Sequence, residues 1–296
     1  MFRLITLVLI VSVMSFSFDV SSKEKLYIEN GSTDIKIDHR KDSPPDIERI
    51  VNRGLLRVAM YQKDTPPYYF VNEDGELDGV DVEIIKGFAR LLNVDIEFDR
   101  SAQSFNEVVN LVAERKADVA ICKLSITFNR VSKVTFTSPY LQLHQSLLIN
   151  RLLLAKQQRG RTREETIQSL EGKIGVIDGS SYVSYAKRMF RNMEIVGYDS
   201  WDETVNAVIN GEVVAAFRDE GEIKKIIKDN PDSSVNLMSV VLLDAEDPKG
   251  IAVAWDAYNL KQLLEHYIDS LDIDLTATKA LYEYDQVIEK IHRKTH

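Results

Sequence analysis

The chain has 296 residues, 44% of them apolar and 28% charged, the balance of a soluble protein with enough core for two modest lobes. A formal net charge of −9 argues against nucleic acid as a partner, because neutralising phosphates requires a basic face. A single cysteine, Cys122, excludes an internal disulfide, so the fold must stand on its core.

Residues 1–22 open with Met1-Phe2-Arg3, continue through the apolar run 4–14 and end near Ser15-Phe16-Ser17. That order predicts a cleaved secretory signal peptide and hence a periplasmic protein. The run is short for a bilayer span, and no cysteine near it could carry a lipoprotein anchor. Residues 23–46 are polar and close on Pro44-Pro45, the composition of a linker, so the domain is expected to start near Ile47. A strand at 56–60 leads through a Pro- and Tyr-rich loop at 65–69 and a turn at 72–75. A helix then opens at Gly79, with Ile84, Ile85, Phe88, Leu91 and Leu92 at helical spacing. A strand at 94–98, a helix at 105–113 and a strand at 118–122 follow, and this β-α-β-α order implies a mainly parallel sheet.

The pattern restarts with a strand at 173–177, a turn at Gly179-Ser180-Ser181 and a helix at 181–190. A strand at 194–198, a helix at 201–209 and a strand at 213–217 ending on Arg218-Asp219-Glu220 complete it. Two successive α/β units predict two lobes with a cleft between them. A final strand at 250–255 and helix at 260–271 can pack on either lobe.

Residues 118–140 (DVAICKLSITFNRVSKVTFTSPY) carry the clearest chemistry. A strand there delivers Ser125, Thr127 and Arg130 just past its C-terminal end, where open α/β sheets place ligands. Arginine matches a carboxylate bidentately, and Ser125 can add a hydroxyl. Asp219 ends the matching strand of the second unit, and a carboxylate facing a guanidinium across a cleft suits an α-amino acid. Taken alone, Asp219 reads first as the N-cap of a helix over 220–228. The histidines at 39, 144, 266, 292 and 296 have no metal-ligand spacing, and neither a metal nor a cofactor is expected.

Several ordered motifs resemble those of the family 3 extracellular solute-binding proteins, the periplasmic group serving polar amino-acid ABC transporters. Gly79-Val80-Asp81-Val82-Glu83 is similar to the family signature, and residues 125–130 with 136–140 are similar to its carboxylate-binding segment. Residues 175–181 resemble its second-lobe loop, and residues 211–220 the strand ending in an ammonium-binding Asp. The resemblance covers roughly residues 47–285 and implies a two-lobed periplasmic-binding-protein fold, each lobe a mainly parallel sheet flanked by helices, joined by two hinge strands. It implies a first lobe of residues 47–142 plus 240–290, a second of 143–239, and a tail at 291–296. It further implies that Arg130 grips an α-carboxylate, assisted by Ser125 and Ser181, and that Asp219 takes the α-ammonium with a carbonyl at Lys123. Phe105 would pack on the ligand side chain and Tyr68 lie near the cleft, although each also reads as core. The implied role is binding without catalysis by a monomer, with a small amino acid-like ligand and a membrane ABC permease as partners.

Three departures set this chain apart. Lys123 stands where the family commonly has a small residue; it can enter the cleft and favour an acidic ligand or, as is usual for lysine, turn to solvent. The loop over 60–67 is one residue longer than in basic amino-acid binders, so no acidic side chain is assigned to a ligand's distal amine, Asp64 being one candidate. Residues 274–284 keep the spacing of the family's closing segment but change most of its residues. The alternatives are an enzyme resembling cyclohexadienyl dehydratase, using Lys123 and Glu220, and a periplasmic sensor without transport.

Overall fold

The structure, a computed structural model, describes residues 43–295, so the leader expected at 1–22 and most of the linker lie outside the described residues. Two five-stranded sheets organise the chain. The first has the order Asp95–Ala102, Leu55–Tyr61, Val119–Ala120, Ala252–Ala254, Val134–Phe136. Only Ala252–Ala254 runs against the others, since it pairs antiparallel with both neighbours. Val58, Ala59, Val119 and Ala120 are fully buried, as strands covered on both faces must be. The late strand Ala252–Ala254 thus joins the first sheet rather than the second.

The second sheet has the order Leu237–Lys249, Leu141–Asn150, Ala215–Asp219, Gly172–Ile177, Met193–Tyr198. Only Leu141–Asn150 opposes the rest. Separate apolar cores sit under the two sheets, one around Val58, Phe88 and Leu264 and others around Ile174 with Phe217 and around Val208 with Ile223. Leu141–Asn150 leads out of the first lobe and Leu237–Lys249 leads back, and the two pair antiparallel. Their register breaks between Val241 and Glu246, a bulge at the crossing. The two-lobed α/β architecture expected from the sequence is the one observed.

Several boundaries differ for local reasons. Pro45 does not end a linker but starts the helix Pro45–Arg53, where its missing N–H costs nothing. Asp46 within it is buried and accepts hydrogen bonds from the amides of Asn259 (2.9 Å) and Leu260 (3.0 Å), capping the helix Tyr258–Leu271. Residues 291–295, read as a tail, finish the helix Tyr284–Thr295 with Ile291 fully buried. The strand expected over 118–122 is only Val119–Ala120, and Lys123 turns into a left-handed backbone with φ 52°. Among the described residues no helix is long and apolar enough to cross a membrane.

Candidate ligand cleft

Strand ends and helix starts of both lobes meet in the cleft. From the first lobe, the loop after Val119–Ala120 supplies Lys123 and Ser125, and the short helix Phe128–Val131 supplies Arg130. From the second, the strand Ala215–Asp219 ends on Asp219, whose Oδ1 accepts the Glu222 amide at 3.3 Å as cap of the helix Glu220–Asp229. Capping and facing the cleft are therefore compatible duties for one carboxylate. Ser180 and Ser181 open the helix Ser181–Met189. Gly179 before them has φ 67°, and a Cβ there would lie 2.6 Å from Cβ of Ser104 in the other lobe. Only glycine allows that approach.

Lys123 does not turn to solvent. It is 5% exposed, and its ammonium lies 3.0 Å from Asp219 Oδ1, 2.6 Å from Glu222 Oε1 and 4.2 Å from the centre of the Tyr68 ring. The left-handed turn at Lys123 is secured by Asp81, whose Oδ2 accepts the Lys123 amide at 2.8 Å, and this directs the side chain across the cleft. Burial pushes the Lys123 ammonium down, but Asp219 and Glu222 more than offset this and leave it above the ordinary lysine value. Burial likewise pushes the Asp219 carboxyl up, and Lys123, Lys249 and Arg218 together hold it well below the usual carboxylate range. Both groups are charged at neutral pH.

Ser125 and Ser181 are joined directly across the cleft, Oγ to Oγ at 2.9 Å. Arg130 is 4% exposed and donates to the Ser125 carbonyl at 3.0 Å, and among the described residues no carboxylate lies within ion-pair distance of it. Burial lowers its affinity for a proton, and nearby groups, the Asp247 carboxylate among them, offset this only in part. Phe105 begins its helix and stacks on Tyr61 with ring centroids 4.5 Å apart while also lining the cleft. Tyr68 lies behind Lys123 rather than on the central cavity, and its buried hydroxyl has no hydrogen-bond partner among the described residues. That cavity, walled by Tyr69, Phe105, Ser125, Arg130, Ser181 and Lys249, measures about 20 Å³, room for about one water molecule.

Sequence reading missed several cleft residues. Lys249 is 2% exposed, donates to Ser125 Oγ at 3.0 Å, pairs with Asp247 and lies 4.0 Å from Asp219 Oδ2. Asp247, fully buried, also accepts the Tyr182 hydroxyl at 2.6 Å. Both lie on the returning hinge strand, and no local motif marks them; only its pairing with Leu141–Asn150 brings them here. Arg218 and Glu222 flank Asp219 in sequence, so the strand-to-helix junction was signal enough to include them. Asp64 pairs with Arg100 at 2.7 Å and is not among the residues lining the central cavity. Cys122 is fully buried, its thiol pushed up to about 12 by burial, and so is no nucleophile. Among the described residues no cluster of His, Cys, Asp or Glu has metal-binding geometry.

The chain matches the bacterial extracellular solute-binding proteins, family 3, over residues 56–229, and it belongs to that family. It is 25% identical over 221 residues to the ABC transporter arginine-binding protein 1 of Escherichia coli K12, covering 72% of this chain and 84% of that protein. Among solved structures it is similar to an amino acid ABC transporter substrate-binding protein from Streptococcus pneumoniae bound to L-arginine. That likeness has a TM-score of 0.65 and 25% identity, covering 84% of this chain and 99% of the other. An ancestral amino acid-binding protein described as a precursor of cyclohexadienyl dehydratase shares the fold with TM-score 0.65, at 21% identity over 84% of this chain and 98% of its own.

Proposed function

We propose that this protein binds a small amino acid-like carboxylate between its lobes and delivers it to an ABC transporter permease from the periplasm, without turnover. The carrying observation is Arg130, a buried guanidinium on the cavity wall with no ion-paired carboxylate among the described residues. A ligand carboxylate would supply the missing charge, with Ser125 and the start of the Ser181 helix as further donors. Phe105 would close the apolar side of the site, and Asp219, Lys123 and Tyr68 its acidic side. The lobes would be residues 47–142 plus 240–290 and residues 143–239, closing about the paired crossing strands.

Catalysis on this fold would need a group free to move a proton. Lys123 is held by two carboxylates, and Glu220 by His144 at 3.0 Å and by Lys224. Neither is free, which favours binding over chemistry. The test is thermal unfolding of the mature protein against amino acids, small carboxylates, dicarboxylates and prephenate, with turnover of prephenate followed in parallel. A ligand of the folded state raises the midpoint by mass action. Arg130→Ala should weaken the responding ligand on the order of a hundredfold, ~3 kcal/mol, since it strands a buried carboxylate. Undiminished binding by that variant, or prephenate turnover by the wild type, would overturn the reading.

A further inference from the structure

The acidic end of the cleft is already occupied by a group of the chain itself. An α-ammonium needs acceptors, and those of the second lobe at this end are Asp219 and Glu222. Asp219 Oδ1 accepts Lys123 Nζ and the Glu222 amide, while its Oδ2 faces Lys249 at 4.0 Å and Arg218 at 3.9 Å. Glu222 Oε1 accepts Lys123 at 2.6 Å. Tyr68 adds its ring face to the same ammonium, a cation–π contact. A second ammonium placed beside Asp219 would meet three cations, Lys123, Lys249 and Arg218, with Oδ1 already taken by Lys123 and the Glu222 amide, in a site too dry to screen the repulsion. At the opposite end the balance reverses, because among the described residues no carboxylate lies within ion-pair distance of Arg130.

We propose that Lys123 is a tethered substitute for the ligand's ammonium, so that the cleft takes a small carboxylate carrying no ammonium of its own and rejects free α-amino acids. The inference rests on the binding reading above and specifies its ligand class. Lys123 is a specificity residue: its side chain supplies from the first lobe the positive charge that an amino acid would bring to Asp219. The side chain enters because the left-handed turn at Lys123 is fixed by Asp81 and by the Tyr140 hydroxyl, itself bonded to Asp81 at 3.0 Å.

The experiment compares wild type with Lys123→Ala in thermal unfolding and calorimetric titration. The probes are acetate, pyruvate and L-lactate on one side, glycine, L-alanine and L-arginine on the other. Wild type should respond to a member of the first set and to none of the second. Lys123→Ala leaves Asp219 and Glu222 buried without their cation, so it should unfold at lower temperature and be restored by L-alanine but not by acetate. Its affinity for L-alanine or L-arginine should exceed that of wild type at least tenfold, and Asp219→Asn in the same background should abolish the gain. Should the single variant fail to fold, Lys123→Ala/Glu222→Ala removes one of the two stranded carboxylates and keeps the comparison. Wild-type binding of L-alanine or L-arginine at least as tight as the variant's overturns the proposal and leaves the binding reading intact. Failure of both proteins to respond to any probe overturns both.

Discussion

At the scale of single residues, the cleft shows how one backbone turn redirects chemistry. Lysine usually keeps its ammonium in water, and Lys123 does not because Asp81 holds its amide and a left-handed φ points the stem inward. Asp81 itself is fully buried, and burial pushes its carboxyl up to about 7, against the pull of the Tyr140 hydroxyl, the Lys123 amide and the Lys123 and Lys249 ammoniums. Its folded value thus lies above its unfolded one, so between about pH 4 and 7 the folded chain holds a proton that the unfolded chain has lost. Stability from this group is greatest below pH 4 and falls as pH rises through 7, by up to ~1.4 kcal/mol per pH unit. Asp81→Asn cannot ionise, so its unfolding midpoint relative to wild type should rise from pH 5 to pH 8. A difference constant over that range would place the proton elsewhere.

Among the elements, the turn before the Ser181 helix controls how closely the lobes meet. Gly179→Ala would force an L side chain into φ 67° and set its Cβ 2.6 Å from that of Ser104. The backbone conformation alone costs about 1 kcal/mol, and the contact must additionally hold the lobes apart. Ligand affinity should drop about tenfold or more by titration. Ser104→Gly in the same chain should recover the share due to the contact but not the share due to φ, at a small loss to the cap that Ser104 gives Glu107. Equal affinity of the single and double variants would show that the lobes do not approach there. Elements were the most legible part of the sequence, because apolar spacing fixes them: the helices Phe105–Ala113 and Trp201–Ile209 begin and end where their patterns do. The short helices Arg151–Gln158 and Arg163–Gln168 were not legible, having few buried positions to set a period. The cleft was half legible. Arg130, Ser125 and Asp219 sit at strand ends that periodicity locates, whereas Lys249 and Asp247 reach it through a pairing between strands about a hundred residues apart.

For the whole molecule, closure is a balance between lobes, and the chain's own groups span the cleft. Lys123 bridges to Asp219 and Glu222, Ser181 to Ser125, and Lys63 to the Asp199 carbonyl at 2.7 Å. The hinge lies close to these bonds: Asp219 pairs with Gln145 across the ladder, and Gln145 donates to the Glu246 carbonyl at the bulge where the crossing strands lose register. A change at Asp219 is therefore transmitted to the crossing through a shared strand pair. Of these bridges only the Lys123 one joins buried unlike charges, so its loss should shift the open–closed equilibrium most. Small-angle scattering should give wild type a compact curve that hardly changes with carboxylate. Lys123→Ala should show a larger radius of gyration that L-alanine returns toward the wild-type value, and Lys63→Ala, exposed at the rim, should leave the curve unaltered. A Lys123→Ala curve that superimposes on wild type would mean that the remaining contacts close the lobes by themselves, and that the lysine sets selectivity without setting shape.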